Sequence, residues 1–281
     1  MVARSLTLCL VLATLPAVAQ KNDFTITSHG KPCGKASYSV DKTKNGYKVK
    51  SKVNYHLSHA AGTADPEPDS ATAIGTSSSP GASSGGGSYA TPSGGHGTPS
   101  MSSPSSGMVG DRQFITESKL DEDGTYAGGF ILDMTTQLST SYTPDKSRSR
   151  LDIIMNQSGS QQLGDPIAIK PNFIFLPDYD PSALQTVLLR ATTHPVEKNL
   201  YLAVIPGGRD KDPVAALWIT DQPDAHGTLD GKPITLHHYI LRLYKSEYDL
   251  FADDTNNLML GTSTALSAIY TRNGFVLTTV K

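Results

Sequence analysis

Alternation of apolar and polar residues is the dominant pattern in this chain. Between residues 47 and 57, Tyr47, Val49, Val53, Tyr55 and Leu57 share one parity, and Lys48, Lys50, Lys52, Asn54 and His56 share the other. Successive side chains of a strand point to opposite faces, so this period of two predicts a strand with one dry and one wet face. Phe24-Thr25-Ile26-Thr27-Ser28 predicts a shorter strand that meets a turn at His29-Gly30-Lys31-Pro32. Ala36, Tyr38 and Val40 then line one face of the next strand. Strand signals resume over 111–120, and Asp121-Glu122-Asp123-Gly124 supplies a hairpin turn. Phe130, Leu132, Met134, Leu138 and Tyr142 share one parity along what reads as a single long strand, and Leu151, Ile153 and Met155 continue its dry face.

One segment departs from the period of two. Asp180 is a capping residue followed by Pro181 at the first helical position. Leu184, Val187, Leu188 and Ala191 follow at helical spacing until Pro195 stops the run. The helix lies between the apolar runs 173–176 and 200–205, which predicts that its apolar stripe packs across a sheet. Residues 214–220 form a strand carrying the only Trp, Trp218, and 229–260 read as a β-meander opened by Asp230-Gly231-Lys232-Pro233. Strands over 264–272 and 275–280 turn at Asn273-Gly274. Together these elements predict a mainly β fold, one large curved antiparallel sheet, open or a half barrel, with one covering α-helix.

The two ends of the chain echo each other. A shift of 201 positions superposes Gly30-Lys31-Pro32 on Gly231-Lys232-Pro233, Tyr38 on Tyr239, Lys44 on Lys245 and Tyr47 on Tyr248. A duplicated half-domain would produce this, and so would two hairpins meeting the same turn requirement with the same residues.

Composition changes the picture in three places. Residues 1–19 combine Arg4, an apolar run and the ending Ala17-Val18-Ala19, the pattern of a secretory signal peptide. Its removal takes Cys9 and leaves Cys33 as the sole thiol of residues 20–281, so no intramolecular disulfide forms. An exported chain of this size without a disulfide fits a bacterial periplasm or cell envelope, where Asn156-Gln157-Ser158 is no glycosylation site. Residues 60–110 shift to Ser, Gly, Pro, Thr and Ala. They cannot bury enough surface to offset the entropy of ordering them, and read as a disordered insertion between neighbouring strands of a single domain, 20–281. A net charge of −2 argues against a nucleic-acid partner, and no later run has the length of a transmembrane segment.

Candidate chemistry is sparse. There is no Gly-x-Ser-x-Gly elbow or phosphate-cradling loop, so no catalytic residue is assigned and no cofactor is implied. His237 and His238 are adjacent on a predicted strand, point to opposite faces and cannot share a metal. Asp249, Asp253, Asp254 and Asn256 cluster at a turn without the spacing of a Ca²⁺ loop, so no metal site is assigned. The lysine row on the 47–57 strand reads as a solvated face that discourages edge pairing.

The stretch Phe24-Thr25-Ile26-Thr27-Ser28-His29-Gly30-Lys31-Pro32-Cys33-Gly34-Lys35-Ala36 and the unit Tyr248-Asp249-Leu250-Phe251-Ala252-Asp253 resemble a group of uncharacterised bacterial exported proteins. That group resembles in turn the half-barrel fold of the outer-membrane lipoprotein carriers LolA and LolB. The resemblance implies a curved sheet about an apolar hollow, with the helix as plug or lid. Phe251 stands where that group often has Trp, and the 60–110 insertion has no counterpart there.

The expectation is therefore a non-enzymatic periplasmic protein holding a hydrophobic small molecule, lipid or acyl chain, between concave sheet and helix. Tyr47, Val49, Val53, Tyr55, Phe130, Leu132, Met134 and Leu138 would line it from the sheet, Leu184 and Leu188 from the helix. The same residues would equally serve as an ordinary packed core. An envelope scaffold or protein-interaction module using the Ser/Gly-rich segment is the alternative, and a hydrolase the third.

Overall fold

The computed structural model describes residues 21–57, 110–177, 179–206, 213–244, 246–262 and 268–280. The signal-peptide and insertion readings lie outside these residues, except that Leu57 pairs with Gly110, so neighbouring antiparallel strands flank the Ser/Gly-rich segment.

The chain runs first as a meander of β1 (Lys21–Ser28), β2 (Lys31–Thr43), β3 (Gly46–Leu57), β4 (Gly110–Leu120), β5 (Tyr126–Asp133), β6 (Leu138–Pro144) and β7 (Arg150–Gln157). Each strand pairs antiparallel with the next. The short strands β8 (Ser160–Leu163) and β9 (Ile167–Ala168) both add to β7. Next come β10 (Phe173–Phe175), helix α1 (Pro181–Thr193) and β11 (Leu200–Val204), which pairs parallel with β10. A second meander comprises β12 (Val214–Leu229), β13 (Lys232–Leu243), β14 (Ser246–Ala252), β15 (Leu258–Thr262) and β16 (Ala268–Arg272). Strand β16 pairs with β1 and fuses both meanders into one sheet. The last strand, β17 (Phe275–Val280), folds back onto β12. The expected large sheet with one α-helix is thus what the described residues form, and both echoing hairpins belong to it.

The echo has a local cause. His29 and Gly30 have φ of 49° and 73°, and Asp230 and Gly231 have φ of 51° and 76°. Two consecutive central residues with positive φ make the turn whose twist suits a two-residue hairpin, and Gly is the residue that adopts the second of them without strain.

The sheet rolls up rather than closing edge to edge. Phe173 and Phe175 of β10 share a face with Leu202 and Val204. That face packs on the concave side of the first meander, where the Phe175 ring lies 4.5 Å from Tyr126 and 4.9 Å from Tyr142. The edge of the second meander therefore tucks beneath the first. A smaller core of Ala225, Leu236, Phe251, Met259 and Phe275 forms where β17 returns over the second meander. β12 reaches it by a register shift between Gln222 and Ala225, at Pro223, whose missing N–H is tolerated at an irregularity.

The predicted long strand over 130–142 is instead a hairpin. Asp133 Oδ1 accepts the N–H groups of Thr135 at 2.9 Å and Thr136 at 3.3 Å, and Gln137 adopts φ 56°, so the chain reverses between β5 and β6. Directly paired residues share a face: Thr116 opposes Ile131, and Phe114 opposes Asp133. Ile131 and Asp133 therefore face the interior, whereas Phe130 and Leu132 lie half-buried on the convex side and Met134 sits in the turn. Leu138 and Tyr142 do face inward, because the turn resets the parity.

Candidate functional site

Helix α1 stands inside the curve of the sheet. Its N-cap is Asp180, whose side chain accepts the Ser182 N–H at 2.8 Å. Pro181, Ser182, Ala183, Leu184, Gln185, Thr186, Val187, Leu188 and Arg190 are all buried, so the helix is covered on every side through its first two turns, and Thr192 and Thr193 at its end are exposed. A helix buried all round is ordinarily apolar. This one carries polar side chains that reach specific partners on the sheet.

At its start, Asp180 also accepts the Ser51 hydroxyl of β3, and the Tyr55 hydroxyl donates to the carbonyl of Tyr179. Burial pushes the Asp180 carboxyl above the usual carboxylate range, outweighing the Ser51 hydroxyl and the Ser182 N–H that it accepts. Tyr55 further lies 3.0 Å, hydroxyl to hydroxyl, from Tyr270. At mid-helix, Gln185 Oε1 accepts the Tyr38 hydroxyl at 2.7 Å and the Leu258 N–H at 2.9 Å, while its Nε2 donates to Asn256 O at 2.9 Å. Near the end, Arg190 Nη1 donates to Asp123 O at 2.7 Å and to Asp123 Oδ2 at 3.0 Å. Desolvation pushes the Asp123 carboxyl up, but hydrogen bonds from Thr125 and the Arg190 guanidinium hold it below its ordinary value. Burial raises the hydroxyl pKa of Tyr38, Tyr55, Tyr126, Tyr142 and Tyr179. All five therefore act as neutral hydrogen-bonding and packing groups at physiological pH.

The residues expected to line a ligand fall into three groups. Val49, Val53 and Tyr55 are buried on the inner face, with Tyr47 half-buried at its end and Leu138 half-buried opposite Asp133. Leu184 and Leu188 belong to the same core. Phe130, Leu132 and Met134 do not join them, for the reason given above. Sequence reasoning missed Ser51, Gln185, Arg190 and Asp123. Ser51 left a signal, being the one polar residue in the apolar parity of β3, at the position where the helix cap docks.

Open clefts lie at the rim and on the convex side. The larger, of about 460 Å³, is bounded by Lys35, Asn54, Tyr55, His56, Arg112 and Thr135, among others. Arg112 forms an ion pair with Asp133 and sits 5.5 Å over the Phe114 ring, which contacts Tyr179 at 4.6 Å. The cleft floor is thereby linked to the start of α1. His56 Nδ1 and Asp111 Oδ1 pair at 2.7 Å on its exposed margin. A second cleft of about 170 Å³ shares Lys35 and Asn54 with the first and extends past Ser37, Lys52 and Asn273.

The remaining candidates find structural roles. His238 stacks on Phe251 with ring centroids 4.4 Å apart and contacts Asp249 at 2.7 Å, while its neighbour His237 faces Asp224 at 3.6 Å. Asp253 Oδ1 accepts the N–H groups of Thr255 and Asn257, both at 2.9 Å, so the acidic cluster shapes the turn between β14 and β15. Cys33 is half-buried and free, with its thiol pKa raised by burial, the opposite of an activated nucleophile. Among the described residues no group of three or more His, Cys, Asp and Glu side chains is placed to hold a metal, and no helix is long and apolar enough to cross a membrane.

Compared with known proteins, the chain matches no family model and no curated relative. A similar solved structure is that of a β-barrel-like protein of the domain of unknown function DUF1849 from Brucella abortus. It is 7% identical, with 92% of this chain and 97% of that chain covered at a TM-score of 0.47.

Proposed function

We propose that the protein is a non-enzymatic, exported interaction module of the bacterial envelope, a rigid plugged barrel that meets its partner through its rim and convex face. One observation carries this reading. The helix stands directly on the inner face of the sheet, hydroxyl to carboxylate at Ser51 and Asp180 and hydroxyl to amide at Tyr38 and Gln185. No layer intervenes there for a ligand, whereas polar clefts open outward over β2, β3 and β4. Export rests on the pattern of residues 1–19. Photo-crosslinkers placed at Gln113 and Thr135, expressed in the native host, test the module: crosslinking to one defined envelope protein is expected. Crosslinking to none from either rim position, with normal expression and fold, would overturn it.

A second reading, binding of an apolar molecule beneath α1, has one observation in its favour. Apolar Val49, Val53, Leu184 and Leu188 lie between the polar anchors of the helix, so lifting α1 would uncover a dry trough. On this reading organic extraction of purified protein yields a lipid by mass spectrometry. An empty extract counts against it.

A further inference from the structure

We propose that the convex face of β2, β3 and β4 docks an extended acidic polypeptide whose Asp or Glu residues occur at alternate positions. The inference rests on the interaction-module reading and gives its partner a chemistry. Charge is segregated along the chain. Residues 21–57 hold eight Lys against two Asp, although the whole protein carries a net charge of −2. Strand pairing gathers four of these or neighbouring charges on one surface. Lys35 lies opposite Asn54 and Lys52 opposite Ser37, while Lys119 comes in from β4 opposite Lys48. Lys48 is neutralised by Glu117 at 2.9 Å. Lys35, Lys50, Lys52 and Lys119 are exposed and, among the described residues, none forms an ion pair.

The spacing selects an extended chain. Lys50 and Lys52 share a face two residues apart, a separation of about 6.6 Å in a strand, and a peptide in the same conformation repeats its side chains at that distance. Acidic residues at alternate positions then meet successive lysines in register. The surface is also grooved: the clefts joined at Lys35 and Asn54 bring the side-chain amides of Asn54, Gln113 and Asn273 beside the lysines, with Asp23 and Asp111, the latter paired to His56 at 2.7 Å, also on their lining. Asn54 Oδ1 accepts from Gln113 Nε2 and Asn273 Oδ1 from the Thr25 hydroxyl at 2.9 Å, so the amide ends that face a partner's backbone are the Asn54 and Asn273 NH2 groups as donors and Gln113 Oε1 as acceptor. A lipid surface would be held by lysines together with apolar or aromatic residues that enter the bilayer, whereas an anionic glycan would meet the lysines by charge alone and is separated by the heparin arm of the test. The exposed large apolar residues Leu163, Leu200, Trp218, Tyr244, Ile269 and Val276 all lie off β2, β3 and β4.

The test uses the full chain and a fluorescent peptide of alternating Thr and Glu, beside a peptide of the same composition with its Glu residues in one block. Lys50→Glu together with Lys52→Glu changes two exposed side chains, and circular dichroism confirms that the fold is kept. The expected result is salt-dependent binding of the alternating peptide, weaker binding of the block peptide, and a loss of about tenfold or more in the double variant. A control with Lys170→Glu and Lys232→Glu, outside this face, binds as the native protein does. Absence of binding, binding unchanged in the double variant, or stronger binding of anionic phosphatidylglycerol vesicles or heparin through the same lysines would overturn the proposal. Rim crosslinking equal in native protein and double variant would overturn this face while leaving the module standing, whereas absent rim crosslinking strikes the module itself.

Discussion

The Tyr38 hydroxyl donates to Gln185 Oε1 at 2.7 Å across the interior, joining the second strand of the sheet to the middle of the helix. The same oxygen accepts the Leu258 N–H, and Gln185 Nε2 reaches Asn256 O, so one side chain couples both meanders to α1. Replacing it with Leu keeps the volume near constant but strands a buried hydroxyl and a buried N–H. Each orphan costs about 1–3 kcal/mol, so Gln185→Leu should lose about 2–6 kcal/mol. Urea unfolding measures this as a lower midpoint at unchanged slope. A loss near zero would mean that the helix is not pinned through this residue.

Asp180 gives the stability a pH dependence of definite sign. Its carboxyl is buried and its folded pKa lies above the ordinary 3.8. The folded state therefore holds a proton that the unfolded chain releases, and the contribution is complete below the unfolded pKa and is lost as pH rises through the folded one. The stability of native protein minus that of Asp180→Asn should fall on raising the pH from below 3.8 and then level off. Asn keeps an oxygen for the Ser182 N–H, so this variant folds. Asp180→Ala, which removes the cap and orphans Ser51, should cost about 1–3 kcal/mol more than Asn. A difference between native and Asn variant that rises with pH would refute the assignment.

How much of this was legible in the sequence follows from where each determinant lies. The faces of β3 could be read because Tyr47 to Tyr55 alternate without a turn, and α1 could be read because its cap and first Pro are local. The parity of Phe130 and Leu132 misled because it ran on through Met134 into Leu138. The signal that breaks it, Asp133 bonding to the N–H groups of Thr135 and Thr136, looks like any Asp before Thr in a one-dimensional reading. Gln185 and Arg190 were unreadable for another reason. Their partners stand 147 and 67 positions away, and a polar residue on a helix ordinarily signals solvent. The helix thus seemed to cover a hollow when its polar residues attach it to the walls.

The corrected faces of β5 predict opposite outcomes for adjacent residues. Ile131 is buried among the inner side chains, and Leu132 lies half-buried on the convex side. Ile131→Ser leaves a cavity and an unpaired hydroxyl and should cost about 2–4 kcal/mol. Leu132→Ser should cost less than about 1 kcal/mol. Paired thermal and urea melts decide; equal losses, or the reverse order, would restore the long-strand parity.

Gly124 is needed where the β4–β5 turn meets the C-terminal part of α1. Its φ is +76°, and a Cβ there would lie 2.9 Å from Arg190 Cα, a backbone atom that cannot swing aside. Gly30 has nearly the same φ, +73°, but its Cβ position faces open space. The two glycines thus separate two costs. Gly30→Ala bears only the conformational strain of about 1 kcal/mol. Gly124→Ala bears that strain and must also push the turn away from the helix, weakening the bonds from Arg190 Nη1 to Asp123. Arg190 is 4% exposed, so its guanidinium cannot turn to water in exchange. Gly124→Ala should therefore exceed Gly30→Ala by about 1–2 kcal/mol in urea unfolding. Once Arg190→Met has removed the charge and its bonds to Asp123, the excess should shrink, because Gly124→Ala then has less left to break. Strict additivity of the two substitutions would show that turn and helix are not coupled through Arg190.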